Sequence, residues 1–266
     1  MIITSIKTFN DYIIYLVEEW LILEKWLIKR RTLFPYTVKT VGFYNADFMN
    51  TLILGDSLKV MQQMIDENKK VDYILTSPPY NRKRNDKYAF YDDTLNDYFG
   101  FLCNSIDLAL KITNNSIFFN VQANYYNKQD IYKFIGHYYK EIQQTIVWEK
   151  SNPLPAQGFN ITNAYEYIFV LGKNIKSNTT YTKNHITTSI NTHTSKEHKA
   201  IMNHKVSDWI IEKFTQPNDT ILDPFMGFGT TGVSCVKYNR NFIGIEINKQ
   251  YYDEANKRIN ASQNIL

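Results

Sequence analysis

From Tyr12 to Leu33 the apolar residues Ile14, Val17, Leu21 and Ile28 recur near helical spacing and stop before Pro35, which predicts a helical extension. At Thr51 the pattern changes. Thr51 to Leu54 reads as a short strand, Gly55-Asp56-Ser57 as a turn, and Leu58, Met61 and Ile65 fall on one face of a following helix. Val71 to Leu75 is an apolar run broken only by Asp72, as expected of a parallel strand covered on both faces. Further strands are predicted at Ser116 to Val121, Gln144 to Trp148, Tyr165 to Leu171, Thr220 to Asp223 and Asn241 to Glu246, with helical periodicity at Asp97 to Leu110 and Val206 to Phe214. This alternation predicts an α/β fold with a mostly parallel, doubly wound sheet. Two polar stretches, Asn81 to Asn96 and Asn174 to Lys196, interrupt it and read as long functional loops.

Composition adds bounds. A chain of 266 residues with 44% hydrophobic content is long enough to bury a sizeable core. Cys103 and Cys235 are far apart with no CxxC, which argues against a disulfide framework or a thiolate zinc site, fits a reducing cytoplasm and predicts two small core residues. Glu18, Glu19, Glu24 and Lys25 interrupt the apolar stretch Ile13 to Ile28, so neither a secretory leader nor a membrane span is expected there. The net charge of +4 is compatible with a polyanionic partner. Its distribution says more: Lys29-Arg30-Arg31, Arg82-Lys83-Arg84 and six lysines between Lys173 and Lys205 form local clusters able to neutralise phosphates. The five histidines show no i, i+4 pair with an acidic companion, so no metal site is expected.

The chemistry concentrates in two segments. Gly227-Phe228-Gly229-Thr230-Thr231-Gly232 follows a strand and precedes a helix presenting Val233 and Val236, so small residues let the backbone approach a ligand at a helix N-terminus. A nicotinamide dinucleotide fits that pattern. Asp223-Pro224 at the strand end favours a different ligand, because a carboxylate repels a pyrophosphate but attracts a cation. S-adenosylmethionine carries an ammonium, a sulfonium and a ribose. Asp223 can accept from its amino-acid end, Glu246 from the ribose hydroxyls and Asp56 from the adenine amino group.

The second segment is Ser77-Pro78-Pro79-Tyr80 after Thr76 at the carboxyl end of a strand. An exocyclic amino nitrogen on cytosine or adenine is a poor nucleophile because its lone pair is delocalised into the ring. Binding both amino hydrogens, at the Ser77 side chain and the Pro78 carbonyl, draws that lone pair out of the plane. The prolines fix φ and push Ser77 into an extended conformation, so the acceptors are preorganised. Tyr80 supplies a flat face for the ring, which must be flipped out of a duplex, and the basic loop after it is placed to hold the strand.

With these blocks the chain resembles the amino-group DNA methyltransferases of bacteria and their phages, specifically the permuted β group in which the catalytic tetrapeptide precedes the cofactor loop. Leu54 to Leu58, Thr76 to Asn81, Trp148 to Pro153, Glu166-Tyr167-Ile168, Asp223 to Gly232 and Phe242 to Glu246 carry the resemblance, in the family's order, over about residues 50 to 262. It implies a Rossmann-like class I methyltransferase fold, S-adenosylmethionine as donor, direct transfer without a covalent intermediate, and no metal. It implies Ser77, Pro78, Pro79 and Tyr80 as catalytic residues, and Asp56, Thr76, Asp223, Phe225, Gly227, Gly229, Thr230, Thr231 and Glu246 as the cofactor site. Asn81, Arg82, Lys83 and Arg84 become the DNA contacts. The organisation expected is a helical extension over residues 1–46 and a catalytic domain over 47–266, with a short target-recognition segment at 172–197. Ser-Pro-Pro-Tyr favours N4 of cytosine, with N6 of adenine as the alternative. DNA is the expected partner, joined by a homodimer mate and a cognate restriction endonuclease acting on the same site. Two departures stand out: His198 to Lys205 lacks the Lys-Pro that many relatives show, and the recognition segment is short. An NAD-dependent oxidoreductase leaves Ser77 to Tyr80 without a task. A non-catalytic DNA-binding module predicts damage at Asp223, Gly227, Gly229, Ser77 or Tyr80, and none is seen.

Overall fold

The computed structural model describes residues 50–82, 94–153, 161–173, 175–189 and 202–263. The expected N-terminal helix and its role as a dimer interface, the basic cluster Lys29-Arg30-Arg31, and Lys83 and Arg84 lie outside the described residues.

Eight strands form one sheet in the order β1-β8-β7-β2-β3-β5-β4-β6. They are β1 (Thr51–Leu54), β2 (Tyr73–Thr76), β3 (Ser116–Val121), β4 (Ile142–Lys150), β5 (Tyr165–Gly172), β6 (His185–Thr188), β7 (Thr220–Asp223) and β8 (Asn241–Glu246). Only β5 runs against the rest: it pairs antiparallel with β3 and β4, while every other pairing is parallel. Among the described residues six helices accompany them: α1 (Ser57–Asp66), α2 (Tyr98–Ile112), α3 (Lys128–His137), α4 (His204–Phe214), α5 (Thr230–Lys237) and α6 (Lys249–Gln263). The sheet is the mostly parallel α/β architecture expected of a class I methyltransferase.

The element boundaries follow local chemistry. Asp56, Asp97 and Asn203 begin α1, α2 and α4, each side chain accepting main-chain N–H groups that the first turn leaves without partners. All six residues of β3 are buried, because this strand lies inside the sheet with both faces covered. Leu75, Phe118, Ile168, Val170 and Phe242 belong to the core, joined from the helical side by Ile210, Phe214, Ala255 and Ile259.

Several expectations need correction. Val71 makes only an isolated bridge to Thr113, so β2 begins at Tyr73. Asn174 to Lys196 was expected to be a loop, yet it contains β6, which adds to the exposed edge of β4 in parallel register from Val147↔His185 to Lys150↔Thr188. Cys103 is only partly buried, whereas Cys235 is fully so. α5 buries Thr230, Thr231, Ser234 and Cys235 more deeply than Val233 and Val236, because small residues let it sit close against α6.

Candidate active site

β7 leads towards β8 on one side of the sheet's midline and β2 leads towards β3 on the other, so the neighbouring pair β2/β7 is a topological switch point. Crevices open at the carboxyl ends of such strands. Here a cleft of about 350 Å³ is lined by Gly55, Asp56 and Ser57 after β1, Ser77 to Tyr80 after β2, Asp223 to Phe228 after β7, and Glu246 and Ile247 after β8. Phe101, Met202 and Tyr251 complete its apolar wall. The fold has therefore brought both sequence motifs to one place.

Asp223 joins them. Its Oδ1 accepts from Thr76 Oγ1 at 2.8 Å and from the Phe225 N–H at 3.1 Å, and its Oδ2 accepts from Thr231 Oγ1 at 2.6 Å. Burial raises its carboxyl from 3.8 to about 6, against the opposing pull of these donors. Glu246 shapes the glycine loop: Oε2 accepts from the Gly227 N–H at 2.8 Å and Oε1 from the Asn248 N–H at 2.8 Å. Burial raises its carboxyl too. Asp56 caps α1 with Oδ1, which accepts from Leu58 N at 3.0 Å, while the residue also lines the cleft. Among the described residues no lysine or arginine forms an ion pair with Asp56, Asp223 or Glu246.

The glycines divide by task. Gly227 lines the cleft at φ +53, where an added Cβ meets nothing within 4 Å, so its conformation and not its size is what the loop needs. Gly229 does not line the cleft. A Cβ there would lie 2.9 Å from the Ala255 Cβ, so this glycine, expected at the cofactor, serves the close packing of α5 on α6. Thr76 is likewise a support for Asp223, while Phe225, Thr230 and Thr231 line the cleft directly.

The carbonyls of the tetrapeptide are not equivalent. Tyr98 Oη donates to the Pro79 carbonyl at 2.8 Å, and the Tyr80 carbonyl accepts from Asn124 Nδ2 at 3.0 Å and Asn127 Nδ2 at 2.8 Å. Among the described residues no donor reaches the Pro78 carbonyl, and Pro78 faces the cleft. Tyr80 is 8% exposed, its hydroxyl within 2.8 Å of Ser77 Oγ, 3.0 Å of Asn120 Oδ1 and 2.8 Å of Glu166 Oε2. Burial, reinforced by Glu166, holds the phenol well above its ordinary value, so it keeps its proton.

Asn81 was expected to touch DNA, but it is 3% exposed and its amide is spent on Leu95, donating to the carbonyl at 3.0 Å and accepting from the N–H at 2.9 Å. With φ +49 it turns the chain after Tyr80, a conformation asparagine tolerates, and fastens the far end of the polar stretch. Arg82 lies over the Tyr80 ring, 5.3 Å from its centroid, and donates to Gln122 Oε1 at 2.9 Å.

Three asparagines were not singled out from the sequence, Asn120, Asn124 and Asn127, while Lys150 and Glu166 fall in blocks that carry the resemblance but were given no role; the Nζ and Oε1 of that pair are 2.6 Å apart and nearly buried. Asn120 left a signal, since a polar residue inside the apolar run Ser116 to Val121 has to find partners. Asn124 and Asn127 left none, because the Tyr80 carbonyl they hold is distant in sequence.

A doubly wound sheet with an acidic, aromatic-walled cleft at its switch point, beside a Pro-Pro-Tyr acceptor segment, defines the class as a Rossmann-like methyltransferase. Comparison with known proteins narrows this. The N6/N4 DNA methylase family matches residues 71–257, more than half the chain, and this protein belongs to that family. Among relatives, the type II methyltransferase M.HinfI of Haemophilus influenzae is 28% identical over 253 residues, covering 80% of this chain and 69% of that protein. M.MwoI of Methanothermobacter wolfeii is 30% identical, covering 78% of this chain but only 34% of the relative. The crystal structure of an M1.HpyAVI–SAM complex aligns with TM-score 0.60 at 27% identity, covering 79% of this chain and 98% of that one. The PvuII cytosine-N4-specific DNA methyltransferase shares the fold, with TM-score 0.63 at 18% identity over 81% of this chain and 92% of that one. Among the described residues no helix is long and apolar enough to cross a membrane, and no cluster of metal-ligating side chains occurs.

Proposed function

We propose that the chain transfers a methyl group from S-adenosylmethionine to the exocyclic amino nitrogen of a base flipped out of DNA, with N4 of cytosine preferred and N6 of adenine the alternative. The observation that carries this reading is the presence in one cleft of Ser77 and Pro78, whose carbonyl has no donor among the described residues, with carboxylates that lack a cationic partner among the same residues. When bound, S-adenosylmethionine supplies a methyl group activated on a sulfonium. The donor set suits it: Asp223 would accept from the cationic amino-acid end, Glu246 from the ribose hydroxyls and Asp56 from the adenine amino group, and Phe225, Phe228 and Tyr251, which line the same cleft, would offer apolar surface to the flat parts.

The rest of the work belongs to the protein. Ser77 and Pro78 accept the two amino hydrogens of the target and turn its nitrogen lone pair towards the donor. Tyr80 offers its ring to the base, stiffened by the hydrogen bonds on its hydroxyl and carbonyl. Asn81 holds the polar stretch that follows, and Arg82, with Lys83 and Arg84, contacts the DNA backbone. The cytosine preference rests on Ser77 alone. Cytoplasmic residence, an N-terminal unit over 1–46, target recognition by 172–197, a homodimer and a cognate endonuclease belong to the same reading. Sequencing modified bases in DNA from a host expressing the chain tests it: N4-methylcytosine or N6-methyladenine at a recurring site supports it, and unmodified DNA together with failure to label any polynucleotide from radiolabelled donor refutes it.

A further inference from the structure

The Tyr80 hydroxyl has one proton and three oxygen neighbours: Ser77 Oγ at 2.8 Å, Asn120 Oδ1 at 3.0 Å and Glu166 Oε2 at 2.8 Å. Two of these can only accept. The Asn120 amide is fixed in orientation because its Nδ2 donates to Glu166 Oε2 and to the Tyr167 carbonyl, each at 3.1 Å, which leaves Oδ1 towards Tyr80. Glu166 is held as a carboxylate acceptor by Lys150 Nζ, 2.6 Å from its other oxygen. The phenolic proton therefore points at Glu166 and Asn120, and the contact between Tyr80 and Ser77 is a hydrogen bond only if Ser77 donates. With its proton turned inward, the Ser77 hydroxyl shows the cleft lone pairs alone.

We infer that Glu166, backed by Lys150 and Asn120, is a positioning residue that locks the Ser77 hydroxyl as an acceptor and so makes the site select an amino base over a keto base. The inference rests on the proposed reading that Ser77 faces the target. Cytosine and adenine present an NH2 donor where uracil and hypoxanthine present a carbonyl oxygen. An amino group meets two acceptors, Ser77 Oγ and the Pro78 carbonyl, and satisfies both. A keto oxygen meets the same two acceptors and satisfies neither, which is a repulsive element built behind the substrate. The discrimination comes from a buried ion pair contributed by β4 and β5, away from any contact with the base.

The test compares binding of paired duplexes. Each carries the methylated site found by base-modification sequencing, with either its natural target base or the keto counterpart, uracil for cytosine or hypoxanthine for adenine. The wild type is expected to favour the amino duplex. In Glu166→Gln, Lys150 keeps the amide oxygen, so the amide nitrogen takes the place of Oε2 and opposes Asn120 Nδ2. Tyr80 then loses its carboxylate acceptor and keeps only Asn120 Oδ1, which the Tyr167 carbonyl holds in place, so its proton is freed to swing to Ser77, which then donates into the cleft. The amino-to-keto affinity ratio is expected to fall roughly tenfold or more. Tyr80→Phe removes one oxygen and frees the Ser77 rotor, so its ratio should fall as well, and this variant decides the matter if Glu166→Gln does not fold. A purely structural role lowers both affinities together, so an unchanged ratio in the folded variants overturns the inference while leaving the methyltransferase reading intact. A wild type that methylates no DNA overturns that reading, and this inference with it.

Discussion

Thr76 donates its hydroxyl to Asp223 across 2.8 Å, although 147 residues separate them in the chain. The bond joins the carboxyl ends of β2 and β7, neighbouring parallel strands, and so couples the Ser77-Pro78-Pro79-Tyr80 segment to the glycine-rich one. Thr231 completes the clasp at the other oxygen of Asp223. The carboxylate at the centre is buried, hydrogen-bonded and shifted up to about 6, and that combination has measurable consequences.

Affinity for S-adenosylmethionine should rise with pH through the region of 6, as Asp223 gives up its proton and becomes an anion for the ligand's cationic end. Asp223→Asn should weaken binding by more than about tenfold, roughly 1.4 kcal/mol, at pH 8 and flatten the profile. Calorimetric titration from pH 5 to 8 checks both. An unchanged dissociation constant in the variant counts against the assigned role.

Stability of the ligand-free protein should run the opposite way. A carboxyl whose folded value lies above its unfolded value binds more protons in the native state, so its contribution is present on the acid side and fades as pH climbs from 3.8 to about 6. At 1.36 kcal/mol per unit this single group takes away up to about 3 kcal/mol. Denaturant unfolding of wild type and Asp223→Asn across that window should show the fall in the former and not in the latter, with added S-adenosylmethionine restoring stability above pH 6.

Gly229→Ala should destabilise the protein by about 1 to 3 kcal/mol, since the new methyl would collide with Ala255 in a backbone held at φ +75. Gly227→Ala should cost less in packing because nothing crowds that position. Urea midpoints of the two variants give the comparison. Equal losses would contradict the division of tasks between them.

Replacing Tyr80 by Ala should cut turnover on duplex DNA by about ten- to a hundredfold, the size expected from losing one base-stacking face, while S-adenosylmethionine still binds. Steady-state methylation with labelled donor, alongside cofactor titration, separates the two effects. Near-normal turnover would remove the ring from the mechanism.

DNA affinity should fall steeply with salt, as counterions released from phosphates demand. Arg82→Ala should reduce the slope of log affinity against log salt by about one. Filter binding from 50 to 200 mM salt measures it, and an Arg82→Ala slope equal to that of wild type would confine Arg82 to its observed contacts with Tyr80 and Gln122.

Much of the fold was legible because parallel strands covered on both faces must be continuously apolar. β3, β7 and β8 fall on the residues predicted for them, and the caps Asp56 and Asp97 mark their helices as local hydrogen bonding requires. β6 was not legible. His185 to Thr188 has little apolar content, and it is a strand because β4 presents an unpaired edge beside it. The packing demand on Gly229 was not legible for a related reason: in sequence it is one more glycine of a ligand loop, and only the arrival of Ala255 from α6 reveals the close contact that requires it.

Residue order and chemical type were enough to establish the class of reaction, since Ser77-Pro78-Pro79-Tyr80 and Asp223 to Gly232 carry their acceptors, stiffness and small size in adjacent positions. Direction within the site was decided in three dimensions. Whether Ser77 gives or takes a hydrogen bond depends on Tyr80, Asn120, Glu166 and Lys150, which come from separate strands and the segment after β2. A hydroxyl can act either way, and its choice is made by neighbours that chain order keeps far apart and the sheet sets within 3 Å.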